Sequence, residues 1–436
     1  MVTAREAALL SLAAGRKNGA WPEAYLDNLI KRENLDRRDA ALAYRLCYGV
    51  LQNMALCDFC VSRYSAVKLS KIEPAVLDIL RISVYQLLFT DKIPAHAVVN
   101  EGVELTRKKA NPRAAGFVNA VLRKIAAEGM PEIGAKDDTE YLSVRYSHPQ
   151  WLVSLLLEEL GREDCEKYLA ADNEIPPVYA QVNTLKCTPD EAADEIEADG
   201  IAVRQTVNGL ELTGCGDPSR LTAFKKGSIY IQDGAARFAA EAAGVRPGMR
   251  VLDACAAPGG KSFAAAILME NRGSILSRDI HPKKLNRVLT EAERLGIDII
   301  ETQATDARVF EPELKDSFDV VIADVPCSGL GVIRKKPDIR YKKESDLEGL
   351  PEIQLAIINN LAGYVKPGGT LLYSTCTVLK RENSGTAEQF LAKHGDFAPE
   401  PFDLGAVKSD TGMITLYPHI HGTDGFFIAK LRRRKQ

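Results

Sequence analysis

Apolar residues recur at helical spacing through the first 129 residues. Ala7, Leu10 and Ala14 form one stripe, and Leu42, Leu46, Val50 and Leu51 a second. Val76, Ile79, Leu80 and Val84 form a third, and Val98, Val103, Val118, Val121 and Leu122 continue the pattern. No strand pattern interrupts them, which predicts an all-helical domain over 1–130. Met130-Pro131 through Thr139 is polar, with proline and glycine, and marks a boundary. A mixed segment over 140–230 follows, read as a small α/β module. It has helices at 151–160 and 189–199 and short strands at 179–182, 203 and 210–212. From Gly248 the period alternates. Strands are expected at 249–254, 274–279, 298–302, 318–324 and 370–376, with helices near 261–269, 282–295 and 351–365 between them. This predicts a doubly wound, mostly parallel sheet in a C-terminal α/β domain over 231–436. A further helix is expected over 380–393, and 413–417 with 426–431 as a closing antiparallel pair.

The 436 residues suffice for two or three domains with a core in each. A composition of 46% hydrophobic and 26% charged residues is ordinary for a globular protein in water. No apolar run approaches the roughly 18 residues of a membrane span, and Arg5 and Glu6 interrupt any signal-peptide pattern. The nine cysteines are scattered and odd in number, unlike a secreted disulfide framework. A cytoplasmic, monomeric chain with reduced thiols and no membrane partner is therefore expected. Cys57 and Cys60 form a C-x-x-C without a second pair in an apolar helical setting. They read as half-buried helix cysteines, and no metal site is expected. The net charge of −3 hides an asymmetry. Residues 1–130 carry 19 Lys and Arg against 13 Asp and Glu, a net of +6, which leaves −9 for the rest. A basic module on an acidic body suits a polyanion held from one side.

The densest chemistry lies in Val251-Leu-Asp-Ala-Cys-Ala-Ala-Pro-Gly-Gly-Lys-Ser262. A strand, a tight glycine turn and a helix build a nucleotide-type cofactor site at the end of an open sheet. A phosphate-binding loop would need its first glycine at Cys255, and the dinucleotide pattern G-x-G-x-x-G is absent. Asp279, at the end of the next strand, stands where an acid takes a ribose hydroxyl pair. An adenosine cofactor without a pyrophosphate remains, which points to S-adenosylmethionine. Two later cysteines, in Asp324-Val-Pro-Cys327-Ser-Gly and Tyr373-Ser-Thr-Cys376-Thr, fall at strand ends of the same sheet.

Together, Asp253-Ala-Cys-Ala-Ala-Pro-Gly-Gly-Lys261, Pro326-Cys327-Ser-Gly329 and Ser374-Thr-Cys376 resemble the RNA cytosine-5 methyltransferases, in that family's motif order. The N-terminal third resembles the RNA-binding antitermination factor NusB, a pairing found in bacterial enzymes that act on 16S ribosomal RNA. The resemblance covers nearly the whole chain. It implies a Rossmann-like methyltransferase domain, a small RNA-binding module before it and 16S ribosomal RNA as partner. It also implies roles. Cys376 is the nucleophile that adds to carbon 6 of cytosine, Cys327 assists product release, and Asp324 binds the cytosine edge. DNA cytosine methyltransferases attack with a Pro-Cys thiol, so Cys327 stays open as the alternative nucleophile.

The cofactor is expected against Cys255, Ala256, Ala257, Pro258, Gly259 and Gly260, with Asp324 nearby. Lys261 is expected to steer its carboxylate, Asp279 to hold the ribose and Asp306 to approach the adenine. RNA contacts are expected from Arg107, Lys108, Lys109, Arg113, Arg123 and Lys124 in the helical domain. More are expected from Arg334, Lys335, Lys336 and Arg340 in a basic loop carrying Tyr341, a composition that suits single-stranded RNA. The family commonly has an acid where this chain has Gly234. A second reading is an RNA-binding assembly factor with a retired core, and the complete cysteine and glycine motifs weigh against it.

Overall fold

The computed structural model describes residues 2–18 and 22–435; residues 19–21, inside the expected helical stretch, lie outside the described residues. The chain divides into two compact units. The first is residues 1–174 with 333–344, and the second is 175–332 with 345–436.

Among the described residues, the first unit is helical. Its main helices are Ala4–Asn18, Pro22–Glu33, Arg37–Gln52, Met54–Tyr64, Pro74–Phe89, Ala95–Lys109 and Ala115–Glu128, followed by Asp138–Tyr146 and Gln150–Ala171. Local chemistry sets several of their ends. Asp36 accepts from the N–H groups of Arg38 and Asp39, both at 2.8 Å, and Asp137 caps Asp138–Tyr146 in the same way. Gly161, at φ 76°, breaks Gln150–Ala171 into two straight pieces. The apolar stripes meet in one core, where Ala7, Leu46, Val50, Ile79, Leu80, Val118 and Leu122 are all buried. Leu10 is the exception and faces outward. Cys57 and Cys60 are fully buried rather than half-buried, and burial pushes the Cys60 thiol up to about 11. By contact the first unit runs to Glu174 and so takes in the helices Asp138–Tyr146 and Gln150–Ala171.

The second unit carries two main sheets. In the small one, β1 (Val178–Val182), β2 (Ala202–Thr206), β3 (Gly209–Thr213) and β4 (Ile229–Ile231) take the antiparallel order β2-β3-β1-β4. The large sheet begins with β5 (Arg250–Asp253), β6 (Ser274–Asp279), β7 (Ile300–Ala304), β8 (Phe318–Asp324) and β9 (Val365–Thr375). Next come β10 (Phe397–Pro399), a separate short pair β11 (Phe402–Asp403) and β12 (Lys408–Ser409), then β13 (Met413–Leu416) and β14 (Phe426–Arg433). The order β10-β14-β9-β8-β5-β6-β7 is parallel from β9 to β7, and β14 closes it antiparallel to β9, with β13 beside it. Alternate residues face opposite layers. Val251, Val320, Ile322 and Leu372 join one core, whereas Leu252, Val321, Ala323, Leu371 and Tyr373 join the other. The strand order reverses between β5 and β8, so their carboxyl ends flank the crevice where open α/β sheets bind ligands.

Candidate active site

Four strand ends meet in that crevice. Asp253 ends β5, Asp279 ends β6, Asp324 ends β8 and Thr375 ends β9, one residue before Cys376. After β5 the chain turns through a cis Ala257-Pro258 bond, and Gly259 sits at φ 110°. A side chain is disfavoured there twice over, by that backbone angle and because a Cβ would lie 2.4 Å from the Phe263 ring. The helix Gly260–Leu268 starts immediately afterwards, so its free N–H groups open onto the turn. Asp253 is buried and accepts from Ser262 Oγ at 2.7 Å. Burial raises its carboxyl to about 6.

A cavity of 360 Å³ lies beside the turn, lined among others by Cys255, Asp279, Ile280, Asp306 and Pro326. This size and mixed lining suit an adenosine-sized ligand. Asp279 Oδ1 accepts from His281 N at 2.8 Å, which leaves Oδ2 for a ribose hydroxyl. Arg308 grips Asp306 through Nε and Nη2, at 3.0 and 2.6 Å, and holds that carboxyl below the usual range. Cys255 half-lines the site, and burial pushes its thiol up, with the neighbouring acids adding to the effect, so it is unsuited to nucleophilic work. Lys261 stands at the start of the helix Gly260–Leu268. Its Nζ lies 2.6 Å from Asp324 Oδ2 and 4.9 Å from the Phe426 ring centre, so its charge is committed to Asp324.

The two cysteine motifs converge. Cys327 Sγ is 3.0 Å from Cys376 Sγ and accepts from Cys376 N at 3.2 Å. Both residues are half-buried. The hydrogen bond to Cys376 is the largest of the effects that raise the Cys327 thiol well above its usual value, and burial adds to it. Asp324 stands next to them on β8, with Oδ1 accepting from Ser374 Oγ at 2.9 Å. Pro326, the residue before Cys327, lines the adenosine-sized cavity, and a thiol pair beside a fixed carboxylate can support nucleophilic addition to a base and transfer to it.

Comparison with known proteins finds methyltransferases that act on ribosomal RNA by name. Residues 243–432 match the family described as 16S rRNA methyltransferase RsmB/F. Residues 2–127 match the NusB family, and residues 148–215 the ferredoxin-like domain of RsmF/B-like methyltransferases. The chain is 38% identical to the probable ribosomal RNA small subunit methyltransferase B of Bacillus subtilis, over 99% of this chain and 98% of that one. The chain belongs to this family. It is also 31% identical to ribosomal RNA small subunit methyltransferase B of Klebsiella pneumoniae, over 93% of this chain and 92% of the relative. The solved structure of PH0851 superposes with a TM-score of 0.81 at 27% identity, covering 99% of this chain and 98% of that one. NSun6 from Pyrococcus horikoshii, solved with SFG, shares the fold at a TM-score of 0.59 and 23% identity, over 66% of this chain and 99% of that one. S-adenosylmethionine is the cofactor of this methyltransferase family, and the glycine turn, Asp279 and the cavity fit it. Asp279→Ala is expected to weaken S-adenosylmethionine binding by about 1–3 kcal/mol, measured by calorimetry. Unchanged affinity in a folded variant would remove Asp279 from the site.

The expected RNA contacts divide. Arg107, Lys108, Lys109, Arg113, Arg123 and Lys124 are exposed on the helical unit. Arg107 pairs with Glu104, and Lys109 lies 3.5 Å from Glu6. In the basic loop, Lys336 is exposed and Lys335 half-buried, but Arg334 and Arg340 are buried. Arg340 is corrected from an RNA contact to a structural plug. It is 0% exposed, and its guanidinium donates to the carbonyls of Gln52, Ser147 and Asp172 and to Asn173 Oδ1. Gly234 also has a local reason, since a Cβ there would lie 2.8 Å from Asn208 Cβ. No acidic side chain fits at that helix start. Sequence reading missed Ser374, Gln354, Glu382 and Asn383, which surround the cysteine loops. The signal was an acid and an amide close behind Thr-Cys, in a turn where nothing obvious calls for them.

Proposed function

We propose that this chain transfers a methyl group from S-adenosylmethionine to carbon 5 of a cytosine in 16S ribosomal RNA, through a transient bond between Cys376 Sγ and carbon 6. The observation that carries this reading is the Cys327–Cys376 pair, 3.0 Å apart, beside Asp324. Carbon 5 of cytosine is a poor nucleophile. Addition of the Cys376 thiolate to carbon 6 breaks the aromatic ring and moves an electron pair onto carbon 5. Asp324, held by Lys261 and Ser374, accepts from the cytosine edge and favours a proton on ring nitrogen 3, which stabilises the added charge. The cofactor supplies an electrophilic sulfonium methyl group. Loss of the carbon 5 proton to a base then returns the electron pair to the ring and expels Cys376 as thiolate. Cys327 serves this second half. Carbons 5 and 6 are hidden in a duplex, so the target is unpaired or flipped out. The relatives named above act on small-subunit ribosomal RNA by name, which supports 16S RNA as substrate. The test is transfer of tritiated methyl from S-adenosylmethionine to unmodified 16S RNA, followed by mapping of the modified base. Label on carbon 5 of one cytosine is expected. Label on any other base or atom, or none, would overturn the reading.

A further inference from the structure

Glu382 is 0% exposed and Asn383 1%, and they are consecutive residues in the turn that follows Cys376. Glu382 Oε2 accepts from Ser328 N and from Gln354 Nε2, both at 2.9 Å. The same Gln354 nitrogen donates to Pro326 O at 3.1 Å. Both neighbours of Cys327 are therefore tied to one carboxylate. The other oxygen, Oε1, is buried without a hydrogen-bond partner among the described residues, a cost that fold stability alone does not explain. Asn383 precedes the helix Ser384–Lys393, where an asparagine side chain ordinarily caps the first turn. It makes no such cap. Instead Oδ1 accepts from Thr375 Oγ1 at 2.5 Å and Nδ2 donates to Thr377 O at 3.0 Å. These are the two neighbours of Cys376. Tyr373 Oη donates to Glu382 O and so fixes the turn to β9.

We propose that Glu382 and Asn383 are a pair of positioning residues that set the two thiols against each other, Glu382 holding the Cys327 loop and Asn383 the Cys376 strand end. One rigid turn then fixes both halves of the thiol pair, and each half answers to a different residue. The proposal rests on the cysteine roles given above.

The test compares Glu382→Ala and Asn383→Ala with Cys327→Ala and Cys376→Ala, all in the full-length chain. Each clamp variant is expected to copy the cysteine it holds. Glu382→Ala should accumulate an enzyme–RNA adduct that survives a denaturing gel, at least about tenfold over the unsubstituted enzyme. Asn383→Ala should lose adduct formation by about 100-fold, the usual penalty for misplacing a reacting group by 1 Å. Cofactor affinity by calorimetry should stay unchanged in both. Glu382→Gln, whose carbonyl still accepts from both donors, should restore turnover. Gln354→Met removes the Pro326 tie at similar volume and replaces Glu382→Ala if that variant does not fold.

Equal damage to attack and release in both clamp variants, or losses that track only the amount of folded protein, would overturn the clamp. If the two cysteine variants exchange phenotypes, the earlier role assignment fails. The clamp then expects Glu382→Ala to lose attack and Asn383→Ala to trap. If no variant gives an adduct, iodoacetamide labelling read by mass spectrometry decides. A changed rate at Cys327 alone in Glu382→Ala, and at Cys376 alone in Asn383→Ala, supports the clamp. Unchanged rates end it.

Discussion

Cys376→Ala is expected to abolish methylation and to form no covalent complex with RNA, whereas Cys327→Ala is expected to trap one. Attack makes the enzyme–RNA bond and release breaks it, so the two thiols leave opposite signatures on a denaturing gel. The two thiols lie side by side in the site. Cys327 is hydrogen-bonded to Cys376 and half-buried, and both effects raise its thiol well above the usual value. At 3.0 Å from Cys376 it adjoins the thiol assigned to attack. It is placed to take part in proton transfer once the adduct has formed. Ser374, two residues before Cys376 on β9, donates to Asp324 Oδ1 at 2.9 Å. Loss of the nucleophile should cost about 10⁴-fold or more in turnover. An adduct from Cys376→Ala and none from Cys327→Ala would exchange the roles and favour the DNA-type assignment. No adduct from either, with the unsubstituted enzyme active, would sink the covalent route.

Arg340→Ala is expected to act on stability and not on the salt dependence of RNA binding. The guanidinium fills a bed of acceptors contributed by three separated stretches of the first unit. It lies 2.8 Å from Gln52 O, 3.2 Å from Ser147 O, 3.3 Å from Asp172 O and 2.9 Å from Asn173 Oδ1. Nearby, His148 Nε2 lies 3.5 Å from Asp172 Oδ2, and burial holds the His148 ring well below its ordinary value, with Arg340 adding to the effect. The variant would remove the guanidinium donor from these acceptors and open a cavity. A loss of about 3–5 kcal/mol is expected, which is a fall in melting temperature on the order of 10 °C for the unit that unfolds. Arg340→Lys should recover little, because an ammonium cannot reach acceptors spread across a planar fork. A melting temperature unchanged in Arg340→Ala, together with a flatter salt slope for RNA, would return this residue to the binding surface.

These two cases also mark how far the sequence could be read. The glycine turn, Asp279 and the two cysteine motifs were legible because backbone geometry and reaction chemistry demand particular residues at fixed spacing. Most strand ends followed from the same periodicity, but β7 starts two residues after its expected start and β9 five residues before its own. Arg340 was not legible. In a run of Arg, Lys and Tyr around Pro337 it has the composition of an exposed loop, and its partners are mostly backbone carbonyls up to 288 residues away, with Asn173 Oδ1 the side-chain acceptor. Carbonyls carry no sequence signature. Lys261 was placed on the right turn, but its partner Asp324 is 63 residues further on, and periodicity cannot choose between a carboxylate of the chain and one of the cofactor. Glu382 and Asn383 were read simply as part of a helix, since only the structure shows which loops they face. The polar link near residue 130 was legible from its proline and glycine, and the NusB match ends at residue 127, but that the helices Asp138–Tyr146 and Gln150–Ala171 pack in the first unit depends on contacts that carry no local signal.

The residues that complete the helical unit have a consequence for its biosynthesis. Residues 333–344 are made about 160 residues after Glu174. At roughly 5–20 residues per second, the ribosome takes on the order of ten seconds or more to deliver them. Until then the nascent bundle holds an unfilled polar bed at Gln52, Ser147 and Asp172. The first unit to emerge is thus among the last to finish, and its final plug arrives only after the Pro-Cys motif has been synthesised.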